Sequence, residues 1–243
     1  MFWHVIQSDI LKMRKTNIWL LLFISPSLAF FTGLVTEKEQ GIPNDWVFYL
    51  LIMTIAHSIL FLPLIIGVFT SFVCRYEHQN GGWKQLLSLP VSRTHVYLSK
   101  FLIVTFLITI NQLLFIVSLF IISLIKGFAG PIPVDIILKT AMGGLMASLP
   151  LIAFMLLISM AWSSFAAPLA LNVIFTLPNI MVANSEKYAP FYPWVQPFLT
   201  MMPKDDGPWG GFFVSIESII FPIIGGFILF FISGLLYIKK KAV

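Results

Sequence analysis

Four histidines, His4, His57, His78 and His95, are the imidazoles of this chain, and their spacing limits the chemistry open to it. They are too scattered to suggest a site, and none belongs to a His-Glu-x-x-His helix of the kind that holds zinc. No Gly-x-Ser-x-Gly turn presents a nucleophile. Gly81-Gly82-Trp83-Lys84 offers glycines and a lysine. It lacks the spacing and the hydroxyl neighbour of a Gly-x-x-x-x-Gly-Lys-Ser/Thr phosphate cradle. A hydrolase would need a nucleophile–base pair or a metal cluster. The pattern supplies neither, so no catalytic residue, no metal ligand and no bound cofactor is expected. Any energy from ATP must arrive through a partner.

Polar side chains do stand within or at the edge of long apolar runs: His57, Asn111, Gln112, Asn172, Asn179 and Glu217. Such groups are costly in lipid and are candidates for substrate contact. Interhelical hydrogen bonding is the plainer reading of the four amides. For His57, core packing competes with a proton or substrate site. Glu217 falls in the first turn of an expected helix, where the N-terminus favours a negative charge; contact with a cationic ligand is its alternative role. Gly143, Gly144, Ala147 and Ser148 form overlapping small-xxx-small pairs, as do Gly225, Gly226 and Gly234 less tightly. Both groups read as sites of close helix packing.

Composition dictates the elements that carry these residues. The 243-residue chain is 58% hydrophobic and 10% charged, with mean hydropathy +0.94. A soluble domain carries about 25% charged residues, so this chain lacks polar surface to face water on all sides. Runs such as 101–107 and 221–229 do not alternate as barrel strands would. The expected class is an all-α polytopic membrane protein forming a single domain. Six spans are predicted at 18–35, 46–73, 101–125, 136–160, 166–182 and 215–237, each near the roughly 20 apolar residues a crossing needs. The second, about 42 Å long at 1.5 Å per residue, must tilt, kink at Pro63 or extend past the bilayer. Cys74, the single cysteine, cannot form an internal disulfide.

Lysine and arginine fix the expected sides. With both termini inside, ten basic residues lie inside (Lys12, Arg14, Lys15, Arg75, Lys84, Arg93, Lys100 and Lys239 to Lys241). Five lie outside (Lys38, Lys126, Lys139, Lys187, Lys204), which completes the total of 15. The basic cluster at 12–15 precedes an apolar run as in a signal peptide, but that run ends in Thr-Glu-Lys-Glu with no small-residue cleavage site, so the first helix is expected to be retained. Residues 1–15 are predicted to form an interfacial helix. Its apolar stripe is Phe2, Trp3, Val5, Ile6, Ile10 and Met13; His4, Ser8, Asp9, Lys12 and Lys15 lie mostly elsewhere. The alternative is a basic start that merely sets orientation. The outer segment 183–213, broken by Pro190, Pro193, Pro197, Pro203 and Pro208, carries Tyr188, Tyr192, Trp194 and Trp209. It reads as short helical pieces on, or dipping into, the outer leaflet.

One polar, basic island separates the second and third spans: 77–100, EHQNGGWKQLLSLPVSRTHVYLSK. Glu77 stands at its mouth, where an unpaired carboxylate is costly, so a nearby basic residue should anchor it. Gly81-Gly82 allow a sharp bend. Trp83, Lys84, Leu86 and Leu87 begin a short amphipathic helix that Pro90 should stop near Leu89. Ser92 or Thr94 can cap the next helix, which runs through Arg93 and Lys100 into the third span. The apolar side chains Trp83, Leu86, Leu87 and Leu89 then need a cover.

Glu77, Gly82-Trp83-Lys84, Leu86-Leu87-Ser88-Leu89-Pro90-Val91-Ser92-Arg93 and Tyr97-Leu98-Ser99-Lys100 together resemble the loop between the second and third spans of the ABC-2 type transporter permeases. The likeness looks closest to the lantibiotic-immunity and bacitracin-resistance permeases of Gram-positive bacteria. The detailed match covers about 25 residues; six spans, inside termini and a long outer segment extend it coarsely over the chain. The resemblance implies a type V exporter-like fold in the plasma membrane. It implies a separate cytoplasmic ATPase dimer that binds ATP and Mg and receives the loop as a coupling helix, with Trp83, Leu86, Leu87 and Arg93 as contact candidates. It further implies expulsion of a lantibiotic, bacteriocin, other amphipathic peptide or lipid-linked antibiotic. A second permease copy or a homologue should complete the route. A solvated loop serving topology alone is the plain alternative for 77–100. An energy-independent carrier or an assembly scaffold is the alternative for the whole chain. Carriers, however, commonly show related halves and paired ionisable groups at mid-membrane, and neither is evident.

Overall fold

The computed structural model describes residues 2–14, 16–38, 44–79, 81–88, 90–203 and 216–241, with the side chains of Leu87 and Ile216 excepted. Every regular element among them is helical. The chain opens with α1 (Phe2–Arg14), then α2 (Ile18–Leu21) and α3 (Ile24–Val35). A long crossing follows as α4 (Asp45–Ala56), one π-turn (His57–Phe61) and α5 (Leu62–His78). The short α6 (Gly82–Ser88) leads to α7 (Arg93–Lys126) and α8 (Val134–Ala161). After α9 (Ala166–Thr176) and α10 (Asn179–Ala183) come a 3-10 turn (Ala189–Phe191), α11 (Gln196–Met201) and the last helix, α12 (Ile216–Lys240).

Five of these stretches are long and apolar enough to cross a membrane: Ile18–Val35, Asp45–His78, Arg93–Lys126, Val134–Ala161 and Glu217–Lys240. The fifth expected span, 166–182, is not one continuous helix. It breaks at Leu177-Pro178 into an 11-residue and a five-residue piece, because Pro178 has no N–H to continue the ladder. The second span, expected to tilt, kink at Pro63 or extend past the bilayer, runs through Asp45–His78 and is interrupted by one π-turn. Its π-turn lies immediately before Pro63, where Leu62 N–H reaches back to the His57 carbonyl. Residues 204–213 of the outer segment, with Pro208 and Trp209, Ser215 at the start of the sixth expected span, and Leu89 of the loop lie outside the described residues.

The bundle centres on α8, which packs against α5, α7, α11 and α12. Its small residues are what admit such close neighbours. A Cβ on Gly144 would meet Met201 Sδ at 2.5 Å and Gln112 Nε2 at 2.6 Å, and one on Gly143 would meet the Thr200 carbonyl at 2.9 Å. The partner of this small-residue face is thus α11, a piece of the outer segment, as well as a long span. Val195, Phe198, Leu199 and Met201 are buried there, as is Trp194. The outer segment therefore enters the protein core, although Tyr188 and Phe191 remain exposed. Elsewhere, exposed apolar side chains such as Leu124, 83% accessible, and Phe221, 80% accessible, present hydrocarbon to the surroundings, as spans in lipid do.

The helix α1 also differs from its sequence pattern. Val5, Asp9 and Met13, spaced by one turn, form its buried face, whereas Trp3 and Ile10 are exposed. Asp9 belongs to the packed side because α7 supplies polar partners for it, described next.

Candidate coupling site

Helix α1 and the last turn of α12 both pack beside the start of α7, at the end of the bundle here termed basal. There α1, the end of α5 and the start of α7 place four charges together. Lys12 Nζ lies 2.8 Å from Glu77 Oε1 and 3.1 Å from Asp9 Oδ1. Lys100 Nζ lies 3.0 Å from Glu77 Oε2 and 3.6 Å from Asp9 Oδ1, and donates to the Val73 carbonyl at 2.8 Å. Ser99 donates to Asp9 Oδ2 at 2.9 Å. Lys100 is wholly buried, Glu77 3% exposed and Asp9 4% exposed. Two anions balance two cations, which is how buried charge is tolerated. The cluster ties the N-terminal helix to the two helices that flank the 77–100 loop.

Within that loop Gly81 takes φ +71°, and Gly82 comes so close to the end of α5 that a Cβ would lie 2.6 Å from the Tyr76 carbonyl. Trp83 is then turned inward and is 8% exposed. Its Nε1–H donates to His78 Nδ1 at 3.2 Å, while His78 Nε2 meets the Ser159 carbonyl at 2.7 Å. Lys241 lies 4.4 Å from the Trp83 ring centre and donates to the Met160 carbonyl at 2.6 Å. Burial pulls its ammonium below the usual lysine range; the ring face and the carbonyl work against that pull. Arg93 Nη1 donates to the carbonyls of Lys239 at 2.9 Å and Lys241 at 2.8 Å, so it caps the C-terminus of α12.

The loop residues therefore sort into two groups. Trp83 and Arg93 face this chain's own helices, and Leu86 is partly buried against the core. Lys84, Gln85, Ser88 and Pro90 are exposed. The cover that the apolar face of α6 requires is supplied at Trp83 by α5 and the C-terminal lysine. Pro90 follows the last turn of α6, and Ser92 stands at the N-cap of α7 without a side-chain capping bond.

Higher in the bundle, the in-span amides answer a need created by prolines. Pro26 has no N–H for the Leu22 carbonyl four residues earlier, and Asn111 Nδ2 donates there at 2.7 Å. Pro63 likewise has none for the Ile59 carbonyl, and Asn179 Nδ2 donates to it at 2.7 Å. Asn172 Nδ2 donates to the Pro63 carbonyl at 3.0 Å, passing so near Gly67 that a Cβ there would lie 2.2 Å away. Trp194 joins both asparagines: its Nε1–H donates to Asn172 Oδ1 at 2.8 Å, and its carbonyl accepts from Asn179 at 3.1 Å. Nearby Tyr192 donates its hydroxyl to the Phe175 carbonyl at 2.6 Å, and burial pushes that phenol above its ordinary value. His57 pairs its Nδ1 with Ser25 Oγ at 2.5 Å and stacks on Phe115. Gln112 Nε2 reaches Met201 Sδ at 3.4 Å. Glu217 is exposed in the first turn of α12.

The structure thus brings Glu77, Gly82, Trp83 and Arg93 together at the basal end, and Asn172 and Asn179 around the π-turn and Pro63 of the second span. Sequence reasoning missed Lys12 and Lys100 as partners of Glu77, Asp9 as the second carboxylate they share, and Lys241 as the cover of Trp83. A burial cost for Glu77 is visible in sequence; its partners, 65 and 23 positions away, are not.

The described residues form a helical bundle in which five helices are long and apolar enough to cross a membrane. Residues 5–179, more than half of the chain, match the profile of the ABC-2 family transporter proteins. The chain belongs to that family, whose members are the membrane permeases of ABC transporters and associate with an ABC ATPase. No curated protein matches the chain.

Proposed function

We propose that this permease takes part in the ATP-driven expulsion of an amphipathic antimicrobial peptide, such as a lantibiotic or bacteriocin, with α6 as its coupling helix on the cytoplasmic side. The observation that carries the coupling role is the two-sided character of α6. Its inner side is pinned to the bundle through Gly82, Trp83 and Lys241, while Lys84, Gln85 and Ser88 are left outward. A force applied to those outward residues by the closing ATPase dimer passes into α5 and, through the ionic cluster, into α1 and α7. The π-turn before Pro63 and the Asn172–Asn179–Trp194 clamp then relay motion of α5 to the segment at the far end. Trp83 serves this route by holding α6, Arg93 by tying the start of α7 to the end of α12, Leu86 lies at its edge, and Lys84 is the contact residue.

A membrane-partitioned peptide is the cargo that suits the wide apolar surface and the aromatic segment around Trp194. Two permease copies, or this chain and a homologue, would enclose its route. The coupling role is tested by replacing Lys84, Gln85 and Ser88 together with glutamate and co-purifying the partner ATPase. Association and stimulated ATPase should both fall; unchanged values would remove α6 from the route. The cargo is tested separately by deleting the gene for this permease and challenging cells with a panel of peptide antibiotics. Raised sensitivity to amphipathic peptides is expected, and an unaltered profile would contradict it.

A further inference from the structure

A second polar site lies beside α6 and shares His78 and Ser159 with the anchor of Trp83. A cavity of about 110 Å³ is lined by Ser71, Arg75, His78, Ser159, Ser163 and Ser164, with Phe165 and Pro168 at its margin. Arg75 is held by ring faces: its guanidinium carbon lies 5.3 Å from the centre of Phe165 and 5.8 Å from that of Phe72. Among the described residues no carboxylate pairs with it, and Glu77, two positions on, is committed to Lys12 and Lys100. His78 accepts from Trp83 at Nδ1, so its Nε2 carries the proton given to the Ser159 carbonyl. That is the neutral tautomer. Among the described lining residues Arg75, which is exposed, is the one cation and has no carboxylate partner.

The rest of the wall is arranged for the same sign. The hydroxyls of Ser163 and Ser164 are exposed at the short link between α8 and α9. The 11-residue α9 starts after Phe165, and the N–H groups of Ala166 and Ala167 stand in its first turn, where Pro168 has none. The last carbonyls of α8 would repel an anion, yet three are occupied: Ile158 by Trp162 N–H, Ser159 by His78 and Met160 by Lys241. A planar guanidinium, paired hydroxyls and a helix N-terminus are the donors that bind a phosphate group. We infer that this cavity binds a phosphate ester, and its place beside the basal ends of two spans makes an anionic phospholipid headgroup the natural source.

The full-length permease, reconstituted in bilayers of phosphatidylcholine mixed with phosphatidylglycerol, tests this by native mass spectrometry of the lipid retained after mild detergent release. The wild-type chain should retain phosphatidylglycerol in excess over its share of the bilayer. Arg75→Ala should cut that excess about tenfold, the loss expected when a charge-assisted hydrogen-bonding group is removed. Arg75→Lys should keep part of it, and the exposed Ser163→Ala/Ser164→Ala pair should reduce it without disturbing packing. Arg14→Ala, an exposed cation elsewhere, should leave it unchanged. Added glycerol phosphate distinguishes the sources: failure to displace the lipid assigns the site to the headgroup, and displacement at matched concentration assigns it to a soluble phosphate. Equal retention by wild type, Arg75→Ala and the serine pair would overturn the inference. So would an Arg75→Ala chain that loses ATPase binding while its lipid retention is intact.

Discussion

Lys100 and Glu77 meet at 3.0 Å in a place where neither side chain reaches water, Lys100 being wholly buried and Glu77 3% exposed. The pair joins the last turn of α5 to the first turns of α7, so the two helices that bracket α6 cannot separate without exposing or orphaning a charge. Removal of one partner is more damaging than removal of both, because a lone buried ion keeps its full desolvation penalty. Glu77→Gln should therefore destabilise the permease by about 3–5 kcal/mol. The double change Glu77→Gln/Lys100→Met should recover a large part of that loss. Equilibrium unfolding in mixed micelles measures both. Additive losses would mean that the pair is not coupled.

Asn172 passes over Gly67 on its way to the Pro63 carbonyl, and a Cβ at Gly67 would collide with its amide. Gly67→Ala should expel the asparagine, strand the buried Trp194 Nε1–H and loosen the clamp on the second span. A cost of about 1–3 kcal/mol is expected for the stranded polar group alone. In an Asn172→Ala background the same glycine change should add little, since the obstruction has been removed. Unfolding of the single and double variants decides it; an equal penalty in both backgrounds would refute the clamp.

The contact of Lys241 with Trp83 is tested through the exposed Lys84 next door. Removing Lys241 by Lys241→Ala forfeits a cation–π contact of about 0.5–2 kcal/mol and its hydrogen bond to Met160. The helix α6 should then open more often, and trypsin should cut after Lys84 several-fold faster than in the parent. An unchanged cleavage rate would show that Trp83 is held without the lysine.

Length and hydropathy made four of the long spans readable in sequence, and even the first, interrupted by a turn at Leu22-Phe23, spans the expected residues. Pro63 was readable as a bend, but the π-turn beginning at His57 was not, since no residue type marks an i→i+5 ladder. The break at Pro178 had a visible cause in the missing N–H, yet the apolar run on both sides masked it. Trp194 illustrates a different limit. An amphipathic ring near a span end suits an interface, and only the partners Asn172 and Asn179, remote in sequence, draw it inside. Asp9 follows the same rule: its place on α1 was readable, whereas Ser99 and Lys100 opposite it were not.

Cys74 is buried, so a cysteine introduced at an exposed position reports with a quiet background. A Gln85→Cys permease, co-expressed with its ATPase, should react with a membrane-impermeant maleimide in inside-out vesicles and not in intact cells. Bound ATPase should protect that cysteine, and its removal should restore labelling. Reaction from outside intact cells, or labelling from the inside that the ATPase leaves untouched, would contradict the role of α6 as the element through which the permease is driven.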